Sequence, residues 1–134
     1  MKLPDHLGDK AKLAYVAGFV DGEGCILLER RGYLRLEITN TGLPTLLFIQ
    51  GIIGGSVAKK SHKVNKTVYR LRVSGAAAKD AITRLQPYLI EKQSQAVLAI
   101  LYGNLPTELQ KDTVIIESYR SALSKQKKEE QCPT

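Results

Sequence analysis

The chain has 134 residues, with 43% hydrophobic and 25% charged side chains and a formal net charge of +7. That length fits one domain with an ordinary core, and the composition excludes a disordered or collagen-like chain. The longest apolar stretches, residues 13–20 and 96–102, fall far short of the ~20 residues of a membrane span. No secretory leader opens the chain, and Cys25 and Cys132 predict a reducing compartment rather than a disulfide framework.

Residues 1–9 form a polar entry, with Asp9 placed to cap a helix that begins near Lys10. Residues 13–20 read LAYVAGFV, and a helix apolar all round has to be buried all round. Ala14, Gly18 and Gly22 recur along it as a stripe of small residues, of the kind that lets two helix backbones approach closely. The helix is predicted to stop between Gly22 and Gly24. Residues 25–31 are strand-like, and Gly32 makes a tight turn. Residues 33–39 form a second strand, in which Leu34, Leu36 and Ile38 alternate with Tyr33, Arg35, Glu37 and Thr39. After the turn Asn40-Thr41-Gly42-Leu43-Pro44, residues 45–53 predict a helix closed by Gly54 and Gly55. Residues 56–61 and 66–73 predict a second hairpin. In its second strand Tyr69, Leu71 and Val73 alternate with Val68, Arg70 and Arg72. Three more helices are predicted over 76–89 (broken at Pro87), 91–102 and 107–124. The division is therefore a domain over 1–124 and a charged, disordered tail over 125–134. Helix, hairpin, helix, hairpin and helices in this order give an α+β fold with an antiparallel sheet.

Charge is spread unevenly along these elements. Between Ser56 and Gly75 stand Lys59, Lys60, Lys63, Lys66, Arg70 and Arg72, without an acid. Such a distribution fits a polyanionic partner, usually nucleic acid. Asp21 and Glu23 sit instead where the apolar helix ends, and a helix C-terminus is unfavourable for acids. Burial adds desolvation, so a hard divalent cation completed by substrate phosphates is the expected compensation. On its own, D-G-E-G reads most simply as solvated acids among turn glycines; placed after AYVAGF it is far more specific. His6 and His62 lack metal-ligand spacing. Tyr102 and Tyr119 read as packing residues, and Cys25 as a packing or surface residue.

Val16-Ala17-Gly18-Phe19-Val20-Asp21-Gly22-Glu23-Gly24 resembles the nine-residue motif of the LAGLIDADG homing endonucleases, where a DGEG ending is common. Leu85-Gln86-Pro87-Tyr88-Leu89, followed by Lys92-Gln93-Ser94-Gln95-Ala96, resembles the segment after the sheet in single-motif members. The resemblance runs from about Leu13 to Leu105. It implies the αββαββα fold with a curved antiparallel four-stranded sheet. It also implies a homodimer whose motif helices meet through Ala14, Gly18 and Gly22, with the sheets in the major groove of double-stranded DNA. The implied activity is metal-dependent cutting of both strands at a long pseudo-palindromic site, leaving short 3′ overhangs, as an intron's mobility requires. Glu23 is the implied metal ligand, with the Gly22 carbonyl beside it. Mg²⁺ is the implied ion, and Mn²⁺ or Ca²⁺ can occupy the same place. Lys92 is implied near the scissile phosphate and Asn40 as a residue that positions solvent, while Pro44 stands where some relatives carry a basic residue.

Motif register and strand alternation together turn Glu29, Arg31, Tyr33, Arg35, Glu37 and Thr39 of the first hairpin towards DNA. They do the same for Ser56, Lys60, Val68, Arg70 and Arg72 of the second, where arginine suits guanine and glutamate suits cytosine. Lys59, Lys63 and Lys66 suit phosphates. No membrane and no organic cofactor is expected, and the expected setting is intracellular, in bacterial or phage cytoplasm or an organelle. The alternative function is a relative that binds DNA or RNA without cutting, as a maturase or transcriptional regulator. A basic structural protein of a nucleoprotein complex is a further rival.

Overall fold

Helix α1 (Asp9–Glu23) opens the part of the chain that the computed structural model describes, residues 8–63 and 66–130. Its N-cap is Gly8, with no side-chain cap. Asp9 is therefore the first helical residue rather than the cap, where its charge still suits the helix dipole. The helix is not buried all round, as its composition predicted. Val16, Ala17 and Val20 are buried, whereas Ala11, Ala14, Tyr15, Gly18 and Gly22 are exposed along one side. One copy of the chain thus carries more apolar helix surface than its own core covers.

Strand β1 (Gly24–Leu28) leads through a turn into β2 (Leu34–Asn40). The turn takes Glu29, Arg31 and Tyr33 out of the strands to which their sequence assigned them. The Glu29 N–H donates to Tyr33 O and the Gly32 N–H to Glu29 O, both at 2.9 Å. Gly32 has φ +95°, and a Cβ there would lie 2.5 Å from the Gln110 carbonyl oxygen, so glycine is required twice over. Helix α2 (Leu43–Ile53) starts earlier than predicted, with Pro44 in its first turn, where a missing N–H costs nothing. Strands β3 (Ser56–Lys63) and β4 (Lys66–Ser74) complete the sheet.

Helix α3 (Gly75–Leu85) ends in a 3₁₀ turn at Gln86–Tyr88, as Pro87 demands. Helix α4 (Gln93–Gly103) follows, and after a second 3₁₀ turn at Leu109–Lys111 comes α5 (Thr113–Glu130). Asp112 sets the start of α5: its Oδ1 accepts the N–H groups of Val114 and Ile115 at 2.9 and 3.3 Å. The helix then runs past Ser124, so residues 125–130, taken from sequence for a disordered tail, are helical. Residues 131–134, with Cys132, lie outside the described residues, as does His6.

The sheet order is β1-β2-β4-β3, antiparallel throughout. One face packs on the helices through Ile26, Leu28, Leu34, Leu36, Ile38, Leu71 and Val73, all buried. Those of β2 and β4 are the inward residues that alternation predicted, except that Tyr69, expected with Leu71 and Val73, is only half-buried. Against them lie Val16 and Val20 of α1, Leu46 and Ile49 of α2, Ile82 and Leu85 of α3, and Ala99 and Tyr102 of α4. The free backbone of edge strand β1 is covered by α5, whose Arg120 Nε donates to Leu28 O at 3.0 Å. Tyr102 and Tyr119 meet edge to face at 5.3 Å, as packing residues. Cys25 is buried but disulfide-bonded, against the reduced thiol expected; its partner lies outside the described residues. No helix among the described residues is long and apolar enough to cross a membrane.

Candidate functional site

The end of α1 is built by backbone geometry and one buried cation. Gly24 donates its N–H to Val20 O, and a Cβ at Gly24 would lie 2.9 Å from that oxygen. Only glycine therefore lets the chain leave the helix for β1 at this angle. Asp21 faces the segment before α4. Its Oδ2 accepts the Ile90 N–H at 2.8 Å and its Oδ1 the Lys92 N–H at 3.0 Å. In return the Lys92 ammonium donates to the Asp21 carbonyl at 2.8 Å, and Lys92 is 1% exposed. An ammonium on a terminal helix carbonyl complements the helix dipole. The compensation expected from a divalent cation is, for Asp21, supplied by the chain itself.

Glu23, two residues on, is different. It is exposed and makes no hydrogen bond or ion pair among the described residues. Gly22 is exposed beside it, and a Cβ there would meet nothing within 4 Å. A carboxylate and a carbonyl are hard oxygen donors suited to Mg²⁺ or Ca²⁺. No group of three His, Cys, Asp or Glu able to hold a metal occurs among the described residues. Asn40 lies at the end of β2, where its Oδ1 accepts the Gly42 N–H at 2.7 Å and shapes the entry to α2. Its side-chain oxygen has a structural task that the sequence did not reveal.

The second part of the site is the sheet face turned away from the helices. Arg35, Glu37 and Thr39 of β2 lie half-buried beside Val68, Arg70 and Arg72 of β4. The register sets Glu37 opposite Arg72 and Thr39 opposite Arg70, with Ser56 of β3 on the far side of Arg72. Glu37 Oε2 holds Arg72 Nε at 3.0 Å by a hydrogen bond. The same oxygen lies 2.8 Å from Arg35 Nε, an ion-pair contact without hydrogen-bond alignment. Arg35 Nη1 also lies 3.3 Å from Glu29 Oε2, so Glu29 reaches this face from the turn.

Other residues of the predicted set stand apart. Arg31 and Tyr33 are exposed in the turn, and Tyr33 borders a cavity of ≈ 330 Å³ on the helical side with Gly75, Lys79 and Gly103. Alternation fails at Lys60, because β3 is irregular between Lys59 and Ser61, and Ser61 rather than Lys60 pairs with Val68. Lys59, Lys60 and Lys66 are exposed. The side chains of His62 and Lys63 lie outside the described residues.

Sequence reasoning missed Gln95. It is fully buried, and neither atom of its amide is hydrogen-bonded among the described residues. Lys92, Gln95, Ala96, Ala99 and Tyr102 recur at helical spacing and are all buried. That periodicity was the available signal that Lys92 and Gln95 point inward.

No protein-family model matches the chain. The DNA endonuclease I-CvuI of Chlorella vulgaris is 34% identical to it over 110 residues, covering 72% of this chain and 66% of that protein, just under two thirds. The crystal structure of the homing endonuclease I-CvuI in complex with its target in the presence of Ca has a TM-score of 0.70. In that superposition the chains are 26% identical, over 88% of this chain and 83% of the other. A crystal structure of I-CvuI with the I-CreI target and Mg, its DNA not cleaved, gives 0.67 at 25% identity, with the same coverages of 88% and 83%. The archaeal intron-encoded homing endonuclease I-Vdi141I complexed with DNA gives 0.62 over 89% of this chain and 86% of that one. At 18% identity this is a likeness of fold. Since the likeness to I-CvuI holds in sequence and in fold, the chain belongs to the LAGLIDADG homing endonuclease family.

Proposed function

We propose that the chain is one subunit of a homodimeric, site-specific DNA endonuclease that cuts both strands of a long pseudo-palindromic duplex, leaving short 3′ overhangs. The observation that carries this reading is Glu23, exposed and without a partner among the described residues, at the end of a helix whose side is lined by exposed Ala14, Gly18 and Gly22. A second copy seated on that stripe brings its own Glu23 alongside, and two half-sets of hard oxygens become one site. Glu23 and the Gly22 carbonyl then hold a divalent cation. When bound, such an ion polarises a phosphoryl oxygen and makes water a stronger nucleophile.

The chain's own residues prepare that place. Lys92 and Asp21 lock the helix end to the 90–92 segment, so the Glu23 carboxylate leaves from a fixed backbone. The buried Lys92 ammonium, bonded to the carbonyl of Asp21 next to Gly22, adds a positive field where phosphate charge develops. Asn40 retains its amide N–H groups to orient solvent. On the half-buried sheet face Thr39, Val68, Arg70 and Arg72 contact base edges, and Lys59, Lys60 and Lys66 hold the phosphate backbone. The setting of this activity is intracellular, as the mobility of an intron requires.

A second reading, a binder that does not cut, is favoured by one stretch. From Asn40 to Ile53 there is no basic residue, and Pro44 is exposed in the first turn of α2. Incubation of the purified protein with a randomised duplex library and Mg²⁺ separates the two. One nearly palindromic cleaved site supports the nuclease. Enrichment of a bound site that is never cut supports the binder.

A further inference from the structure

The charged cluster on the sheet face is not a uniform cationic surface. Glu29, Arg35, Glu37 and Arg72 sum to zero charge, and the two arginines are held in unlike ways. Arg35 is engaged at both ends, by Glu37 at Nε and by Glu29 at Nη1. Arg72 is engaged at Nε alone, and its Nη1 and Nη2 make no hydrogen bond or ion pair among the described residues. Its side chain is 38% accessible, against 24% for Arg35. The strand neighbour across from it, Ser56, is small. An arginine gripped at Nε presents its two Nη groups as a planar pair, the arrangement that fits O6 and N7 of guanine.

From this we infer that Arg72 reads one guanine in each half-site, that Glu37 is the positioning residue which aims it, and that Arg35 reads no base. The assignment rests on the nuclease reading above, because it takes DNA to lie on this face. Glu37 acts through Arg72, holding the guanidinium before DNA arrives so that little side-chain freedom is lost on binding. The cluster's neutrality has a second effect. Phosphates gain nothing from it, so the cations that drive non-specific binding are the exposed lysines of the second hairpin.

The test is selection of bound duplexes from a randomised library in Ca²⁺, with wild type, Arg72→Lys, Glu37→Gln and Arg35→Lys, each first checked for native circular dichroism. Wild type should prefer guanine about tenfold or more at one position of each half-site. Arg72→Lys keeps the charge but loses the planar pair, and should bring that position near parity while leaving the others intact. Glu37→Gln should weaken the same preference only, and should steepen the loss of affinity with salt. Arg35→Lys should select the wild-type sequence. Retention of the guanine preference by Arg72→Lys, an unchanged preference in Glu37→Gln, or a base lost in Arg35→Lys alone would each overturn the assignment. A wild-type protein that enriches no sequence overturns the nuclease reading, and the assignment with it.

Discussion

The end of α1 and the outer sheet face both set acids against cations, yet they are wired differently. At the helix end Asp21 and Lys92 bond to backbone: Asp21 to two N–H groups, Lys92 to a carbonyl. On the sheet the bonds run between side chains, Glu37 to Arg35 and Arg72 and Glu29 to Arg35. Backbone partners cannot be exchanged without opening the fold, whereas side-chain partners on a half-exposed face can be traded for base edges or phosphates. The first region is architecture that holds the end of α1 still. The second is a surface prepared for a partner. Glu23 belongs to neither pattern, being an exposed carboxylate without a described partner, mounted on the rigid region.

The largest effects should come from breaking the helix end where it faces outward. Glu23→Gln should lower the cleavage rate by more than about a hundredfold, since losing even a residue that only supports a metal ligand costs about 10–100-fold. Affinity for the target should stay within about threefold, because one exposed carboxylate adds little to a binding term dominated by phosphate contacts. Comparing single-turnover cleavage with gel-shift affinity checks this. Gly18→Leu should abolish the proposed dimer. A Cβ at Gly18 meets nothing within 4 Å in its own chain, and leaving glycine in a helix gains about 0.8–1 kcal/mol of propensity. The single chain therefore has every reason to accept leucine. A monomer by light scattering with an undiminished helical signal locates the seam on this stripe; a persistent dimer places it elsewhere.

Much of this organisation is legible in the sequence, and the illegible part has a consistent physical cause. Period-two alternation sorts Leu34, Leu36 and Ile38 from Arg35, Glu37 and Thr39 because side chains in a strand alternate by necessity. The second hairpin's basic run and the DGEG ending are local strings, visible without a fold. What alternation cannot see is a break in itself: the turn that removes Tyr33 and the irregular step that displaces Lys60. Nor can it see partners 69 and 71 residues away, which is where Asp21 finds its hydrogen bonds. The neutralisation of Arg35 and Arg72 is partly legible, since Glu37 follows Arg35 by two residues and so shares its face of β2. It becomes definite only with the β2–β4 register. Lys92 was identified by resemblance alone, although the helical spacing of Lys92, Ala96, Ala99 and Tyr102 already marked its side as the buried one.

A mid-sized effect sharpens the contrast between two acids two residues apart. Asp21→Ala removes the acceptor of two N–H groups and should cost about 2 kcal/mol of folding free energy, the range for hydrogen bonds to a charged group. Glu23→Ala, at an exposed position without a partner, should stay within about 0.5 kcal/mol. Urea melts of the pair measure the difference directly. If both cost the same, the clamp between α1 and the 90–92 segment does not carry the stability assigned to it.

The smallest effect lies one turn beyond Lys92. Gln95 shares its buried helix side, but where Lys92 is bonded to the Asp21 carbonyl, the Gln95 amide has no described partner. Leaving a polar group buried and unbonded costs about 1–3 kcal/mol, and methionine fills a similar unbranched volume without that cost. Gln95→Met should therefore raise stability by about 1 kcal/mol, seen as a higher urea midpoint at unchanged slope. Lys92→Met, at the same depth and of similar shape, should move the midpoint the other way, because it strips the Asp21 carbonyl of its donor. Opposite signs for one replacement residue at the N-cap of α4 and three positions into it separate a buried polar group that the fold tolerates from one that it uses.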